Sequence, residues 1–586
     1  MSGLDESITK WTLHNAREFG SAQPPKVLGK VLAEHPECKK DVKGTLAKIG
    51  QECARVNALG KEELDKELSL FQFDEPKPAD EEGERKITVP DAVQGRVVTR
   101  FPPEPSGFPH IGHAKAAFLD YEIAKQNGGY MRLRMDDTNP EKEKAEFVDA
   151  LVDGLKWLGI SWEGEITYTS DRMEEFYAYA DELILKHKAY VCTCSPEDVK
   201  KGREKGEECL CRTQMAEDHI LSFRKMIAGK FPEGGAVLRY RGHMKAENTV
   251  MRDPTLFRII EAPHYRQGAN YKCWPSYDFE APIMDSVEGI THALRSKEYE
   301  LRDELYYALQ KALDLRPVRM LSISRLAIAG APISKRLITP LITEGKVSGY
   351  DDPRLPTLAA LRRRGIRPQA IRQFVLSFGL SKVESEPGWE KLLSYNRKLI
   401  DATALRRFFV PLPVKLEVSG APARILALKN HPQNASMGTR SLEASSPLFI
   451  PGRDAAALTD GEVFRLKDWC NVKLSGKREE EVLMPDGSKS VSPVLLCEFV
   501  SESGDVSKKV QWLSDAHKAR ACVFVPGDLL RADNSYNPDS LQTVWGWAEP
   551  SCAQLAPGTT VQFERFGFAT LDKAEGDMLS FIQVSD

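Results

Sequence analysis

The chain has 586 residues, 41% hydrophobic and 28% charged, an ordinary globular composition with room for about four domains at roughly 150 residues each. Its 81 basic and 85 acidic residues leave a net charge of −4, which neither advertises nor excludes a local basic face for nucleic acid. No apolar run approaches the ~18 residues of a membrane span, and Met1 to Gly20 lack the apolar core of a secretory signal. A mostly disordered, collagen-like or membrane-embedded chain is therefore excluded.

Residues 1–75 read as helical. Apolar side chains recur at three- and four-residue spacing, as in Val27-Leu28-Val31-Leu32 and Leu46-Ile49-Cys53-Val56. A docking domain for another protein and a simple packing appendage both fit that pattern. A linker follows over 76–93, introduced by the charged, proline-containing stretch Glu75 to Glu84. Over 94–190, a β-rich run from Arg96 to Phe101 enters a loop punctuated by Pro and Gly. A helix is expected from about Ala114 to Gln126, stopped by Asn127-Gly128-Gly129, and then a strand from Tyr130 to Met135. Strand, helix and strand in such short order form a βαβ unit and imply a parallel sheet. Residues 191–269 interrupt the pattern with a Cys-rich polar stretch and a small β domain. It resumes over 270–335, and 336–410 are helical and basic. From 411 to 586, short β-branched runs such as Val414–Val418, Val494–Val500 and Thr560–Phe563 alternate with turn residues, which predicts one or two β-barrels. No internal repeat is visible.

The loop from Phe101 to His113 reads FPPEPSGFPHIGH. It lies between a strand and a helix, where backbone N–H groups and the helix dipole can receive a nucleotide phosphate. Gly112 allows close approach to the backbone. His110 and His113, three residues apart at the helix start, share a face and can donate hydrogen bonds to an α-phosphate that gains charge. Two surface histidines would look the same. A second loop, Ala331 to Arg336, reads APISKR and follows another hydrophobic run. Lys335 there can neutralise a pyrophosphate leaving group. A basic tripeptide alone says nothing; the pair of loops is informative.

With that pair, the chain resembles the class I aminoacyl-tRNA synthetases, whose HIGH and KMSKS motifs are similar to His110-Ile111-Gly112-His113 and Ile333-Ser334-Lys335-Arg336. Ile333 stands for the usual Met, and Pro332 for the motif's first Lys, so that charge has no counterpart here. Arg134 to Pro140, Trp157-Leu158-Gly159, Tyr277-Asp278-Phe279, Gly289 to His292 and Val347 to Arg354 are similar to the glutamyl/glutaminyl subclass of archaeal and eukaryotic type. The resemblance runs from about residue 94 onward. It implies a multidomain α/β fold with a Rossmann-like parallel-sheet catalytic domain in two parts, 94–190 and 270–335. It also implies an inserted acceptor-end domain over 191–269 and a helical stem-contact domain over 336–410. Anticodon-binding antiparallel β-barrels over 411–586 and an N-terminal helical appendage over 1–75 complete the expected layout.

The resemblance further implies activation of an amino acid by ATP and its transfer to the 3′ end of tRNA. His110, His113 and Lys335 match the residues that act on the ATP phosphates, with Gly112 and Ser334 beside them. Arg325 and Leu326 belong to the stretch Ser324-Arg325-Leu326 whose backbone receives adenine. Mg²⁺ is expected with ATP. Glu104 and Asp136 match positions near the substrate ammonium and the ATP or tRNA end, although an acidic pair such as Asp136-Asp137 also serves as a turn or cap. Arg100 and Tyr277 match the lining of the amino acid pocket. At Arg295, glutaminyl enzymes typically carry a small thiol residue and glutamyl enzymes an Arg. A guanidinium suits a γ-carboxylate, and facing a neutral amide it would stay buried and under-paired. Glutamate is the expected substrate, with Arg295 as its side-chain reader; an ion pair with Glu298 or another nearby acid is the bland alternative.

Eleven cysteines, an odd number, fit a reducing compartment such as the cytoplasm better than a disulfide framework. Cys192, Cys194, Cys209 and Cys211 supply four thiolates, enough for a tetrahedral Zn²⁺ site. Free thiols are the alternative, with His219 as a substitute ligand. Arg362, Arg363 and Arg364 form a basic run suited to tRNA phosphates, although a solvated face has the same composition. The expected partners are L-glutamate and tRNA(Glu), joined by tRNA(Gln) if the anticodon domain is permissive. Three competing functions are a glutaminyl synthetase, a short nucleotidyltransferase with an H-x-G-H loop, and a non-catalytic tRNA-binding paralogue. Arg295 argues against the first. The length argues against the second, and His110, His113 and Lys335 argue against the third.

Overall fold

The computed structural model describes residues 3–19, 21–35, 38, 41–68, 71 and 86–586. The expected linker stretch, Glu75 to Glu84, lies outside the described residues. The chain divides into two compact units, 1–86 and 87–586. The first contains the helices Gly3–Phe19, Pro24–Glu34, Val42–Asn57 and Lys61–Leu68. Of the two expected apolar stripes, Val27, Val31, Ile49, Cys53 and Val56 are buried together with Ile8 and Leu13. Leu46, in the same register, stays 37% exposed.

The second unit opens on the strand Val98–Phe101, the helix Ile111–Gln126 and the strand Tyr130–Met135. The two strands pair in parallel, Val98 with Tyr130 through Phe101 with Leu133. Gly129 makes the return to the sheet fit, because a Cβ there would lie 1.7 Å from the Val97 carbonyl oxygen. Thr167–Tyr168 extends the sheet on one side. On the other, the Thr291 N–H donates to the Val98 carbonyl at 2.8 Å. That bond brings the parallel pair His292–Ser296 and Arg319–Ile323 alongside. The helix is apolar on most sides because it is covered on most sides: Ala114, Ala117 and Phe118 share one core with Phe374 and Leu392.

An antiparallel four-stranded sheet, Ala189–Cys192, Val237–Tyr240, Thr255–Ile259 and Cys273–Pro275, interrupts this part. It packs over its own core around Phe223, Phe257 and Trp274. The helices Lys335–Thr343, Leu358–Arg364, Pro368–Leu376 and Trp389–Asp401 follow.

Two seven-stranded sheets complete the unit. In spatial order, one runs through 405–407, 560–563, 567–575, 578–585, 519–526, 541–548 and 409–411. The other runs through 509–510, 463–466, 471–483, 489–501, 413–419, 448–451 and 513–514. The chain enters the first sheet at 405–411, leaves to build the second, and returns. Most pairings are antiparallel, as expected, but each sheet also has two parallel ones: 405–407 with 560–563 and 519–526 with 578–585, and 413–419 with 489–501 and 463–466 with 509–510. Among the described residues, no helix is long and apolar enough to cross a membrane.

Candidate active site

The helix over the parallel sheet begins at Ile111, three residues earlier than the pattern suggested, because histidine side chains close its first turn. His110 is the N-cap, and its Nδ1 accepts the Gly112 N–H at 3.1 Å. His113 Nδ1 accepts the His110 N–H at 3.2 Å. An imidazole that accepts at Nδ1 carries its proton at Nε2, so both rings present an Nε2–H. Removal from water lowers the His113 pKa to about 4, and the same cause places His110 well below the usual histidine range. Two neutral donors therefore stand together, with ring centroids 4.0 Å apart. What approaches Gly112 is the protein itself: a Cβ there would meet the His110 ring at 2.9 Å and the Leu326 carbonyl at 3.2 Å.

The second loop reaches the first. Lys335, first residue of its helix, donates from Nζ to the Ser106 carbonyl at 3.4 Å and lies 4.8 Å from the Phe147 ring centroid. Ser334 is the N-cap of that helix. Leu326 is buried, and Arg325 pairs with Glu298. Two anchors were not legible in the motif. Lys115 donates to the Ser324 carbonyl at 2.7 Å and its hydroxyl at 2.9 Å, and burial lowers its pKa to about 8. The segment 356–358 brackets the histidine loop, with Ile111 N–H on the Pro356 carbonyl and Leu358 N–H on the Pro109 carbonyl, both at 2.9 Å.

Beneath these loops lies a buried charge network. Arg100 is fully buried and donates to Asp285 at 2.9 Å and to the Leu294 carbonyl at 3.0 Å. Arg134 donates to Asp136 at 2.7 Å, Asp285 at 3.0 Å and Glu288 at 2.9 Å. Tyr306 adds its hydroxyl to Asp285 at 2.9 Å. Burial would push the Asp285 carboxyl up, but Arg100 and Arg134 outweigh it and hold it below the usual range. Burial raises Tyr277 to about 12 although Arg295 and Arg100 oppose it, which puts both cations within electrostatic reach of its hydroxyl. Arg295 is buried, pairs with Asp303, and lies 4.9 Å from the Tyr306 ring and 6.0 Å from the Tyr277 ring. Among the described residues, Arg100 Nη2, Asp136 Oδ2 and Arg295 Nε are buried with no hydrogen-bond partner. Those atoms are what a bound zwitterion with a side-chain anion could satisfy. Glu104 is exposed on the loop above. Asp137 turns away to accept from Ser170 N–H at 2.8 Å and Tyr265 hydroxyl at 3.0 Å, so it ties segments together.

The four cysteines converge, with their sulfurs all within 4.8 Å of one another. Cys192 and Cys209 are 3.8 Å apart, as are Cys194 and Cys211. Four sulfurs at 2.3 Å around a tetrahedral zinc would be about 3.8 Å apart, so the donor set fits that ion. Arg239, buried beside them, directs Nη1 at Cys192 and Cys209 from 3.8 and 3.9 Å. His219 is not part of the group, and its Nδ1 accepts the Val191 N–H.

The basic run does not form one free face. Arg362 is exposed and pairs with Asp153 at 3.2 Å. Arg363 pairs with Asp572 at 2.7 Å. Arg364 is buried against the Trp389 ring at 5.0 Å. The expectation of a phosphate contact is corrected at Arg364, which is buried; Arg362 stays exposed. Leu358, Leu361 and Arg364 share one helix face, and that face is buried, so Arg364 is directed inward. A cavity of about 710 Å³ is lined by the antiparallel pair 424–429 and 439–444, through Lys429 and Arg440, and by Arg406, Lys467, Glu564 and Arg565 among others.

The sequence profile of the tRNA synthetases class I (E and Q) catalytic domain matches residues 96–402. Profiles of the anticodon-binding domain of the same family match 404–484 and 509–572. A glutamate–tRNA ligase of Nitrosopumilus maritimus is 44% identical over 97% of this chain and 98% of its own length. The chain belongs to the class I (E and Q) tRNA synthetase family. Other relatives of this family bear the same name: a protein of Korarchaeum cryptofilum, 36% identical over the full length of both chains, and one of Pyrococcus abyssi, 37% identical over 98% of both. As an E and Q synthetase, the chain carries its family's catalytic match across both loops, and the 710 Å³ cavity is lined from both anticodon-binding matches.

Proposed function

We propose that this chain is a glutamyl-tRNA synthetase. It joins L-glutamate to ATP, an α-carboxylate oxygen attacking the α-phosphorus as the bond to pyrophosphate breaks. The terminal ribose hydroxyl of tRNA(Glu) then attacks the acyl carbon and AMP leaves. The observation that carries the amino acid choice is the buried Arg295 guanidinium with its unpartnered Nε, beside Arg100 and Tyr277. A carboxylate satisfies that group; a neutral amide leaves it under-paired, and mismatches of this kind reject an analogue by about 10⁴.

The neutral Nε2–H groups of His110 and His113 suit the α-phosphate, because they donate without adding a charge that would hold the product. Lys335, on the neighbouring loop, suits the departing pyrophosphate, and Mg²⁺ accompanies ATP. Cys192, Cys194, Cys209 and Cys211 would hold Zn²⁺, which supplies a structural cross-link between two chain segments and no chemistry to the reaction. The cavity lined from both anticodon-binding matches suits an unpaired anticodon base. Eleven cysteines without a disulfide among the described residues accord with a cytoplasmic setting.

The test is aminoacylation with ATP and Mg²⁺, crossing labelled Glu or Gln with tRNA(Glu) or tRNA(Gln). Glutamate on tRNA(Glu) alone is the outcome expected of a discriminating enzyme. Glutamate on both tRNAs keeps the pocket reading and makes the anticodon domain permissive. Glutamine on tRNA(Gln) without glutamate transfer would overturn it.

A further inference from the structure

Arg295 is gripped on one side and open on the other. Its Nη2 donates to Asp303, its guanidinium lies 4.9 Å from the Tyr306 ring, and its Nε has no partner. Asp303 occupies the first position of the helix Asp303–Ala312. The helix dipole favours an acid there, but that does not require its carboxylate to engage Arg295. The neighbouring acids are committed elsewhere. Glu298 pairs with Arg325, Asp278 with Arg302, and Asp285 with Arg100 and Arg134. Among the described residues, Asp303 is the acid that ion-pairs with Arg295.

We infer that Asp303 is a positioning residue for glutamate selection, fixing the Arg295 guanidinium so that its open edge is presented to the side-chain carboxylate of the substrate. This rests on the reading of Arg295 given above. The Nε–H and the inner Nη2–H of an arginine lie on the same edge and form a fork that matches a carboxylate. Asp303 accepts from one Nη2 proton and leaves Nε unused. An unheld arginine would have to be immobilised on binding, and that cost falls on glutamate affinity. The Tyr306 ring lies against the guanidinium, and Tyr306 is itself tied through its hydroxyl to Asp285. The grip thus connects to the same carboxylate that orders Arg100.

Steady-state aminoacylation of Asp303→Ala, Asp303→Glu, Asp303→Asn and Arg295→Met separates the possibilities. Asp303→Ala is expected to raise the KM for glutamate about tenfold or more, the size of a lost charge-assisted hydrogen bond. Its kcat and its KM for ATP should stay within about threefold, as for an interaction used in binding alone. Asp303→Glu should restore part of the loss, and Asp303→Asn, which keeps size but not charge, should fall between. An unchanged or lowered KM for glutamate in Asp303→Ala would overturn the inference. So would a parallel loss in kcat and KM for ATP across all three variants, which marks a merely structural role. If Arg295→Met raises the KM while Asp303→Ala does not, the inference fails alone. If Arg295→Met also leaves it unchanged, the reading of Arg295 fails with it.

Discussion

Gly112 sits where the histidine turn meets the Leu326 backbone, and no side chain fits between them. A Cβ would press on the His110 ring at 2.9 Å and the Leu326 carbonyl at 3.2 Å. Gly112→Ala should therefore reduce kcat/KM for ATP by about tenfold or more and leave tRNA affinity unchanged; full activity would mean that the histidine turn need not sit against Leu326. Lys335→Ala should collapse kcat with tRNA binding retained, because the lysine reaches the first loop at the Ser106 carbonyl. His113 yields a pH prediction. Its pKa in the folded chain is about 4, against about 6.5 for a free histidine. Between those values the unfolded chain binds a proton that the folded chain refuses, so this residue's contribution to stability falls as pH drops through that window. The Tm difference between wild type and His113→Gln should shift against wild type on going from pH 7 to 5; a constant difference would contradict the assignment. The histidines and the lysine were legible because each lies in a short motif. Asp285 and Tyr306 were not, since Asp285 reaches Arg100 across 185 residues and nothing local marks it.

At the scale of elements, the helix Leu358–Arg364 shows why a charge run is ambiguous. Composition reveals three arginines; orientation separates them, and one consults the apolar neighbours to find it. Leu358 and Leu361 are buried, so Arg364, three residues on, follows them inward. Arg362→Ala should lower the salt slope of tRNA binding by about one without changing Tm. Arg363→Ala should lower Tm through the loss of the Asp572 pair. The reverse assignment of the two effects would refute this orientation. The cysteine segment makes a separate prediction. A strong chelator should release about one zinc per chain and increase proteolysis within 192–211, with the parallel sheet still intact. Release of no zinc from freshly purified protein would contradict the reading.

At the scale of the molecule, the βαβ unit and the β-rich C-terminal part followed from periodicity and turn residues, which are local, although the strands begin at 405 and not at 411. The strand orders did not. The two large sheets share one sequence of pairings: parallel, antiparallel, antiparallel, parallel, antiparallel, antiparallel. No sequence repeat announces that likeness, because hydrogen-bonded ladders constrain the backbone and leave side chains free to differ. In one sheet, the strand 578–585 lies between 567–575 and 519–526, while 405–411 supplies both outer strands. The interior of that sheet is thus made from 519–585, and its borders from a part of the chain translated much earlier. At 5–20 residues per second, the borders leave the ribosome on the order of 10 s before the middle exists. During that interval the residues 405–411 carry unsatisfied strand edges, and the intervening sheet over 413–514 can fold first. Nascent chains stalled short of residue 578 should therefore be the species that recruits chaperones.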